Sequence, residues 1–379
     1  MSFFILYVVI LPVLLLLVRR YPTYHKLPFL IIAVLSMVRY ETVTDYSAYV
    51  QAFWDIRGGI YDGWFEYGFQ LLNKPFAFSE WGFIPLIMLC TLIPYAGIYS
   101  CFRKYDIVLW GTLVFVLSGY ITRYDNIIRQ GISMGLFFYA MRFALQKNFA
   151  KYILYCGFAI IFHYSAIVLI PFYFLIRFAS SFKPPVILSF LLVVTFFMLY
   201  MIGVFEALSN FVFDIFPFYK NYINKSEFGA ATIGVSALFK SLLAWVPTLL
   251  ISRKDSADVR MIVNMSWFAA LGYLLVRNFI VLDRVVEYLY IFQVIAIAIF
   301  FKRLTYKFKL NKMILCYGLV LMLFVTHIRF VINYYGNNIY YTVFSNKCLD
   351  HKFYDRRQKK DLESTFDWAE IRKYEVINP

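Results

Sequence analysis

The chain has 379 residues, of which 62% are hydrophobic and 16% charged, with a mean hydropathy of +0.67. That much apolar surface excludes a soluble globular domain and reads as an all-α polytopic membrane protein. The formal charge is +15, but no basic stripe interleaves with exposed polar helices, so the excess points away from nucleic acid and toward anionic lipid headgroups or an anionic substrate.

The first 18 residues lack a basic leader and a small-residue cleavage site, and Arg19 and Arg20 follow them, so they read as a retained first membrane helix. Apolar runs predict spans near 3–18, 27–38, 82–102, 106–121, 127–145, 185–204, 233–252, 258–276, 281–301 and 311–332, with a further apolar block at 150–178. Basic residues favour the cytoplasmic side. Arg19, Arg20 and Lys26, then Arg103 with Lys104, then Arg142, Lys147 and Lys151, are therefore expected inside.

The block 150–178 is long for one crossing and is interrupted at its centre by His163, Tyr164 and Ser165. Folded as two short helices meeting near His163, it places the basic loops 253–260 and 301–312 inside as well, giving about 10–12 membrane segments with a broken or re-entrant pair. A broken helix at membrane depth is tolerated only where it lines a cavity or is buried in protein.

The membrane domain is expected over 1–345, with long outer loops at 39–81 and 205–232, and a polar tail over 346–379. Segment parity places the tail outside, whereas its KFYDRRQKK run by itself favours the cytoplasm, so its side stays open. Cys90, Cys101, Cys156, Cys316 and Cys348 form no CxxC pair and indicate neither a disulfide framework nor a metal knuckle.

Arg39, Arg57, Arg123, Arg129, Arg277, Arg284 and Arg329 break the charge trend and fall on or near the outer side. A cation near the hydrocarbon costs several kcal/mol unless it meets an anion or a wet cavity, so such residues are functional candidates. In RYDNIIRQGISMGLFFYAMR, from Arg123 to Arg142, Asp125 or Asn126 is expected to cap the helix. Arg129 and Gln130 then stand on its first turn, a charged fork beside free backbone N–H groups that suits a diphosphate. Snorkelling to headgroups is the plainer alternative. Gly131 and Gly135 read as close helix packing.

In the first outer loop, Asp45, Tyr46 and Tyr49 fall on one helical turn, where rings and a carboxylate can grip a sugar, or can merely form an interfacial belt with a cap. Glu66 is a general-base candidate for a sugar hydroxyl, or a loop carboxylate paired with an arginine. His163 and Ser165 lie within an apolar block, as a catalyst or a structural donor. Arg284, Glu287 and Tyr288 share a helix face, as an internal Arg–Glu pair or as a phosphate or sugar contact. His327 and Arg329 are weaker candidates.

Taken in order, these motifs resemble the EpsG and O-antigen polymerase (Wzy-type) families of bacterial envelope polysaccharide synthesis. Arg39 with Val43-Thr44-Asp45-Tyr46 is similar to an Arg followed by Gly-Thr-Asp-Tyr. Glu66-Tyr67-Gly68-Phe69 is similar to Glu-Pro-Gly-Phe, Ile128-Arg129-Gln130 to Leu-Arg-Gln, and Phe162 to Ala166 matches Phe-His-x-Ser-Ala. Val43, Tyr67 and Ile128 depart from the pattern without removing a chemical group. The resemblance covers most of 1–180 and thins afterwards.

The resemblance implies a GT-C-like membrane glycosyltransferase of the inner (cytoplasmic) membrane, with its active site facing the periplasm or cell exterior. Its implied activity is transfer of a growing glycan from undecaprenyl diphosphate to the next lipid-linked repeat unit, with a chain-length regulator as a partner and without a cofactor or metal. That chemistry needs cations at the lipid diphosphate, for which Arg129 is the first candidate, with Arg123 and Arg284 as helpers and Arg39, Tyr46, Gln130 and Tyr288 as further substrate contacts. It also needs a base for the attacking hydroxyl, and Glu66, Asp45 and His163 are candidates in that order. A metal-dependent GT-C transferase using Asp45, Asp55, Asp62 and Glu66, an O-antigen ligase, and a lipid-linked sugar flippase are the rivals.

Overall fold

A computed structural model describes residues 9–40, 45–59, 65–205, 207, 235–276, 280–307, 311, 314–315, 317–318, 321 and 341–344. Helices α1 (Leu11–Val18) and α2 (Leu27–Met37) each carry a proline in the first turn, where its missing N–H costs nothing. A short β1 (Arg39–Tyr40) follows, then α3 (Tyr46–Arg57) and α4 (Tyr67–Asn73) within the first long loop. The bundle continues with α5 (Phe83–Lys104), α6 (Val108–Leu117), α7 (Tyr120–Asn126), α8 (Ile128–Leu145), α9 (Phe149–Phe162), α10 (Leu169–Ser181) and α11 (Val186–Met201). It closes with α12 (Val235–Trp245), α13 (Ala257–Val276), α14 (Ile280–Lys307) and β2 (Tyr341–Thr342).

The protein is an all-α polytopic membrane protein. Among the described residues three stretches, Phe83–Lys104, Tyr164–Ser181 and Arg284–Tyr306, are long and apolar enough to cross a membrane, and Val108–Leu117, Phe149–Phe162, Val186–Met201 and Ala237–Leu250 are shorter apolar helices. Among the described residues the one sheet is a two-stranded antiparallel ladder pairing Arg39 with Thr342 and Tyr40 with Tyr341. It brings the chain that follows the last predicted span back to the end of α2.

Helix α8 lies at the centre, against α5, α9 and α10. Its glycines serve that packing: a Cβ on Gly135 would lie 3.1 Å from the Ile93 side chain, and one on Gly131 would lie 3.6 Å from Pro94. The small-residue pair therefore lets two backbones approach. Ser133 ties α8 to α9 by donating to the Ala159 carbonyl at 2.7 Å. Gly119, with φ of 75°, makes the left-handed turn between α6 and α7 that a side chain would strain.

The apolar block 150–178 folds as two helices broken at His163, whose φ of −158° and ψ of 117° are extended. The Phe149 and Tyr173 rings are 4.9 Å apart, and Tyr152 donates to the Leu169 carbonyl at 2.6 Å. The limbs α9 and α10 thus run antiparallel, with His163 at the vertex, in line with the two-helix reading.

The bundle has two chemically different ends. At one, Lys104 pairs with Asp258 at 2.7 Å, Lys302 with Asp106 at 2.8 Å and Arg303 with Asp255 at 2.7 Å, and Arg260 donates to the Ser180 carbonyl at 3.0 Å. This basic rim gathers the loops 253–260 and 301–307 beside the ends of α5 and α10, as a broken 150–178 block requires. At the other end lie Arg39, Glu66, Arg123, Arg129, His163 and Arg284. Most of the second outer loop, the last predicted span and the tail lie outside the described residues, as do Arg277, His327, Arg329 and Asp62.

Candidate functional site

Glu66 reaches the site because Gly68 has no side chain. A Cβ there would lie 2.6 Å from Ile161 Cγ2 and 2.7 Å from its carbonyl oxygen, so the start of α4 rests directly on the last turn of α9. Glu66 occupies the N-cap position of α4 in extended backbone, which turns its carboxylate toward the vertex of the α9–α10 hairpin. There His163 Nδ1 lies 2.8 Å from Oε1, and the Tyr164 N–H donates to the same oxygen at 3.3 Å. The other oxygen, Oε2, accepts from Arg129 Nη1.

Burial by itself raises the Glu66 carboxyl, but the His163 hydrogen bond and the neighbouring Arg129 charge outweigh it and hold the group down at about 2. Glu66 is therefore ionised at neutral pH and accepts hydrogen bonds only. Against an ionised carboxylate, His163 presents Nδ1–H, which in the neutral ring leaves the lone pair on Nε2. Among the described residues Nε2 is buried without a hydrogen-bond partner, and so is Arg129 Nε. The Arg129 guanidinium is held 4.6 Å from the Phe65 ring centre and 5.9 Å from that of Tyr49, so aromatic faces and one carboxylate fix it.

Helix α14 forms the opposite wall. Gln130 donates to the Arg284 carbonyl at 2.6 Å, and the Tyr288 and Ser165 hydroxyls lie 3.2 Å apart. Glu287 pairs with Arg123 on α7, at 2.5 Å, rather than with Arg284 on its own helix. The Arg123 guanidinium also stacks 4.9 Å from the Tyr290 ring centre. The i, i+3 spacing of Arg284 and Glu287 thus has a different outcome from the internal pair that it suggests.

Other candidates sit deeper. Arg39 is fully buried, donating to Thr91 Oγ1 at 2.7 Å and to the Asp125 carbonyl at 2.9 Å, with Asp125 Oδ1 at 3.6 Å. Asp125 in turn accepts from Ser36 at 3.0 Å and Tyr95 at 3.3 Å. Asp125 therefore caps nothing: Ile127 holds the N-cap position of α8, without a side-chain cap. Asn126 instead accepts from the Asp45 N–H at 2.9 Å, tying the first loop to α7.

Tyr46 and Tyr49 are buried in an apolar cluster with Tyr40, Phe53 and Phe69, so their ring faces pack against protein rather than a sugar. Asp45, at the N-cap of α3, precedes Tyr46 of this cluster, and its charge acts on Tyr49, whose ring the Arg129 guanidinium approaches. Among the described residues no group of three or more His, Cys, Asp or Glu is close enough to hold a metal ion. Phe65 and Asp125 are the contributors that sequence reasoning passed over or misassigned. An aromatic immediately before Glu66 was the available signal for the first, and a carboxylate between two arginines for the second.

The arrangement joins a permanent cation, an ionised carboxylate and an imidazole with one buried nitrogen left unpartnered among the described residues, at the end of the bundle opposite its basic rim. No curated protein and no solved structure matches the chain. The model of the EpsG family matches residues 23–344, which takes in every site residue named above, and the chain belongs to the EpsG family.

Proposed function

We propose that the protein is a polysaccharide polymerase that transfers the growing glycan from undecaprenyl diphosphate to the next lipid-linked repeat unit at the outer face of the inner membrane. Membership of the EpsG family supports a function of the polysaccharide-polymerase type, with lipid-linked glycans in a membrane as substrates. The observation that carries the finer reading is the contact of Glu66 with both His163 and Arg129.

Glycosyl transfer from a lipid diphosphate requires proton removal from the attacking hydroxyl and stabilisation of the departing anion. In this reading His163 Nε2 takes the proton, and Glu66 orients the ring and stabilises the imidazolium, because a carboxyl held at about 2 is itself a weak base. That ordering differs from the reading of the sequence, which ranks Glu66 first, then Asp45 and His163. The leaving diphosphate is stabilised in the field of the cluster to which Arg123, Arg129 and Arg284 belong, in which Arg123 and Arg129 are already paired with carboxylates. Gln130 and Tyr288 shape the wall, whereas Arg39, Asp45 and Tyr46 support the first loop.

The test is the purified protein with undecaprenyl-diphosphate repeat units, products resolved by length, with and without EDTA. A ladder that survives chelation and is lost in His163→Ala supports the reading. A ladder that needs a divalent ion replaces it with a metal-dependent transferase, and glycans that cross the membrane without lengthening replace it with a flippase.

A further inference from the structure

Among the described residues, the arginines around the Glu66 and Glu287 carboxylates differ in one respect. Arg39 has Asp125, Arg123 has Glu287 and Arg129 has Glu66, each within ion-pair distance. Arg284 is exposed, and among the described residues its side chain has no carboxylate and no hydrogen-bond acceptor. The acid one turn along its own helix, Glu287, is held by Arg123 instead.

Its position is nonetheless fixed. Gln130 Nε2 donates to the Arg284 carbonyl, which locks the start of α14 against the start of α8. The Arg284 charge acts on both Tyr49 and His163, so it shares a field with the Glu66 cluster. An unpaired cation at membrane depth is costly unless an anion completes the site, and a guanidinium matches phosphate oxygens with two parallel donors.

We infer that Arg284 is the residue that binds the diphosphate of the lipid carrier, and that Arg129 is a positioning residue that holds Glu66 and, through it, His163. This rests on the polymerase reading above and divides the work among its arginines. Arg129 and Arg123 spend their charge on carboxylates already present. Arg284 has its charge and donors available for a phosphoester.

The experiment uses the full chain in detergent, with undecaprenyl diphosphate, undecaprenol and phosphatidylglycerol as probes, and native mass spectrometry as the readout. The wild type is expected to bind the diphosphate more tightly than undecaprenol. Arg284→Gln weakens diphosphate binding by about tenfold or more and leaves undecaprenol unchanged, and Arg284→Lys restores part of the loss. The charge-neutral double variant Glu66→Gln/Arg129→Gln keeps diphosphate binding within about threefold, because the two removed charges cancel, yet forms no ladder.

Unchanged diphosphate binding in Arg284→Gln, with the wild type still preferring the diphosphate, overturns the assignment and leaves the polymerase reading standing. Equal losses for the diphosphate and phosphatidylglycerol mark a headgroup contact and also overturn it. A wild type that does not distinguish the diphosphate from undecaprenol overturns both readings.

Discussion

His163 Nδ1 lies 2.8 Å from Glu66 Oε1 across 97 residues of chain, joining the vertex of a broken helix pair to the first turn of a loop helix. The contact decides which nitrogen of the ring is left without a partner among the described residues, the buried Nε2. It also places a negative charge where an imidazolium would form. Carboxylate-oriented imidazoles act as bases in this geometry, and proton removal by a positioned base contributes about 10²- to 10⁴-fold.

His163→Ala is therefore expected to reduce chain growth by about 10²-fold or more while the protein still inserts. Glu66→Gln, which keeps the shape but removes the charge, should also reduce it, by less than His163→Ala. Initial rates of ladder formation check both. Normal rates in His163→Ala would remove the imidazole from the mechanism.

Gly68→Ala tests how Glu66 is placed. The added Cβ would meet the Ile161 carbonyl at 2.7 Å, and main chain cannot rotate away. The expected cost is about 1–3 kcal/mol, with α4 displaced from α9 and Glu66 drawn off His163. Thermal unfolding in detergent and ladder formation should both fall. A stable, fully active variant would show that the site does not depend on this close approach.

The Arg39–Asp125 pair is expected to matter for stability. Both side chains are essentially unexposed. Removing one partner leaves a buried charge, which costs about 3–5 kcal/mol, whereas replacing both with apolar residues of similar volume costs much less. Arg39→Met and Asp125→Leu should each lower the midpoint of thermal unfolding sharply, and the double variant should recover most of the loss. A double variant no better than either single one would make Arg39 something other than a packing cation.

Acid sensitivity follows from Glu66. Its carboxyl lies at about 2 in the folded protein, against an ordinary 4.5. A group whose folded value is lowered stabilises fully above its unfolded value, and that contribution is lost as pH falls through the folded one. The Glu66 contribution should thus be constant from neutral pH down to about 4.5 and disappear between there and about 2. The stability difference between wild type and Glu66→Gln, followed by unfolding at stepped pH, checks this. A difference that does not fall between about pH 4.5 and 2 would mean that the carboxyl is not held down.

Much of this was legible in the chain. The spans follow from apolar runs, and the break at His163 from three polar residues in the middle of one of them. The Gly131 and Gly135 packing follows from their spacing on one helix face. Arg129 and His163 stood out as polar groups that apolar surroundings do not tolerate without partners, and Glu66 as a carboxylate of the first outer loop. Their mutual contact was not legible, because it joins positions far apart in sequence through the seating of Gly68 on Ile161.

The pairing of charges was the least legible feature. Spacing along α14 suggests Arg284 with Glu287, and composition around α7 suggests Asp125 as a cap, yet Glu287 goes to Arg123 and Asp125 to Arg39. Helical periodicity specifies which residues share a face, but not which neighbouring helix that face meets. The sequence by itself therefore determined that this is a membrane bundle with costly cations and acids at one end, because hydrocarbon tolerates few charges. Only the tertiary structure decided which cations are neutralised, since ion pairing depends on distances of a few ångström between helices that the chain order does not set.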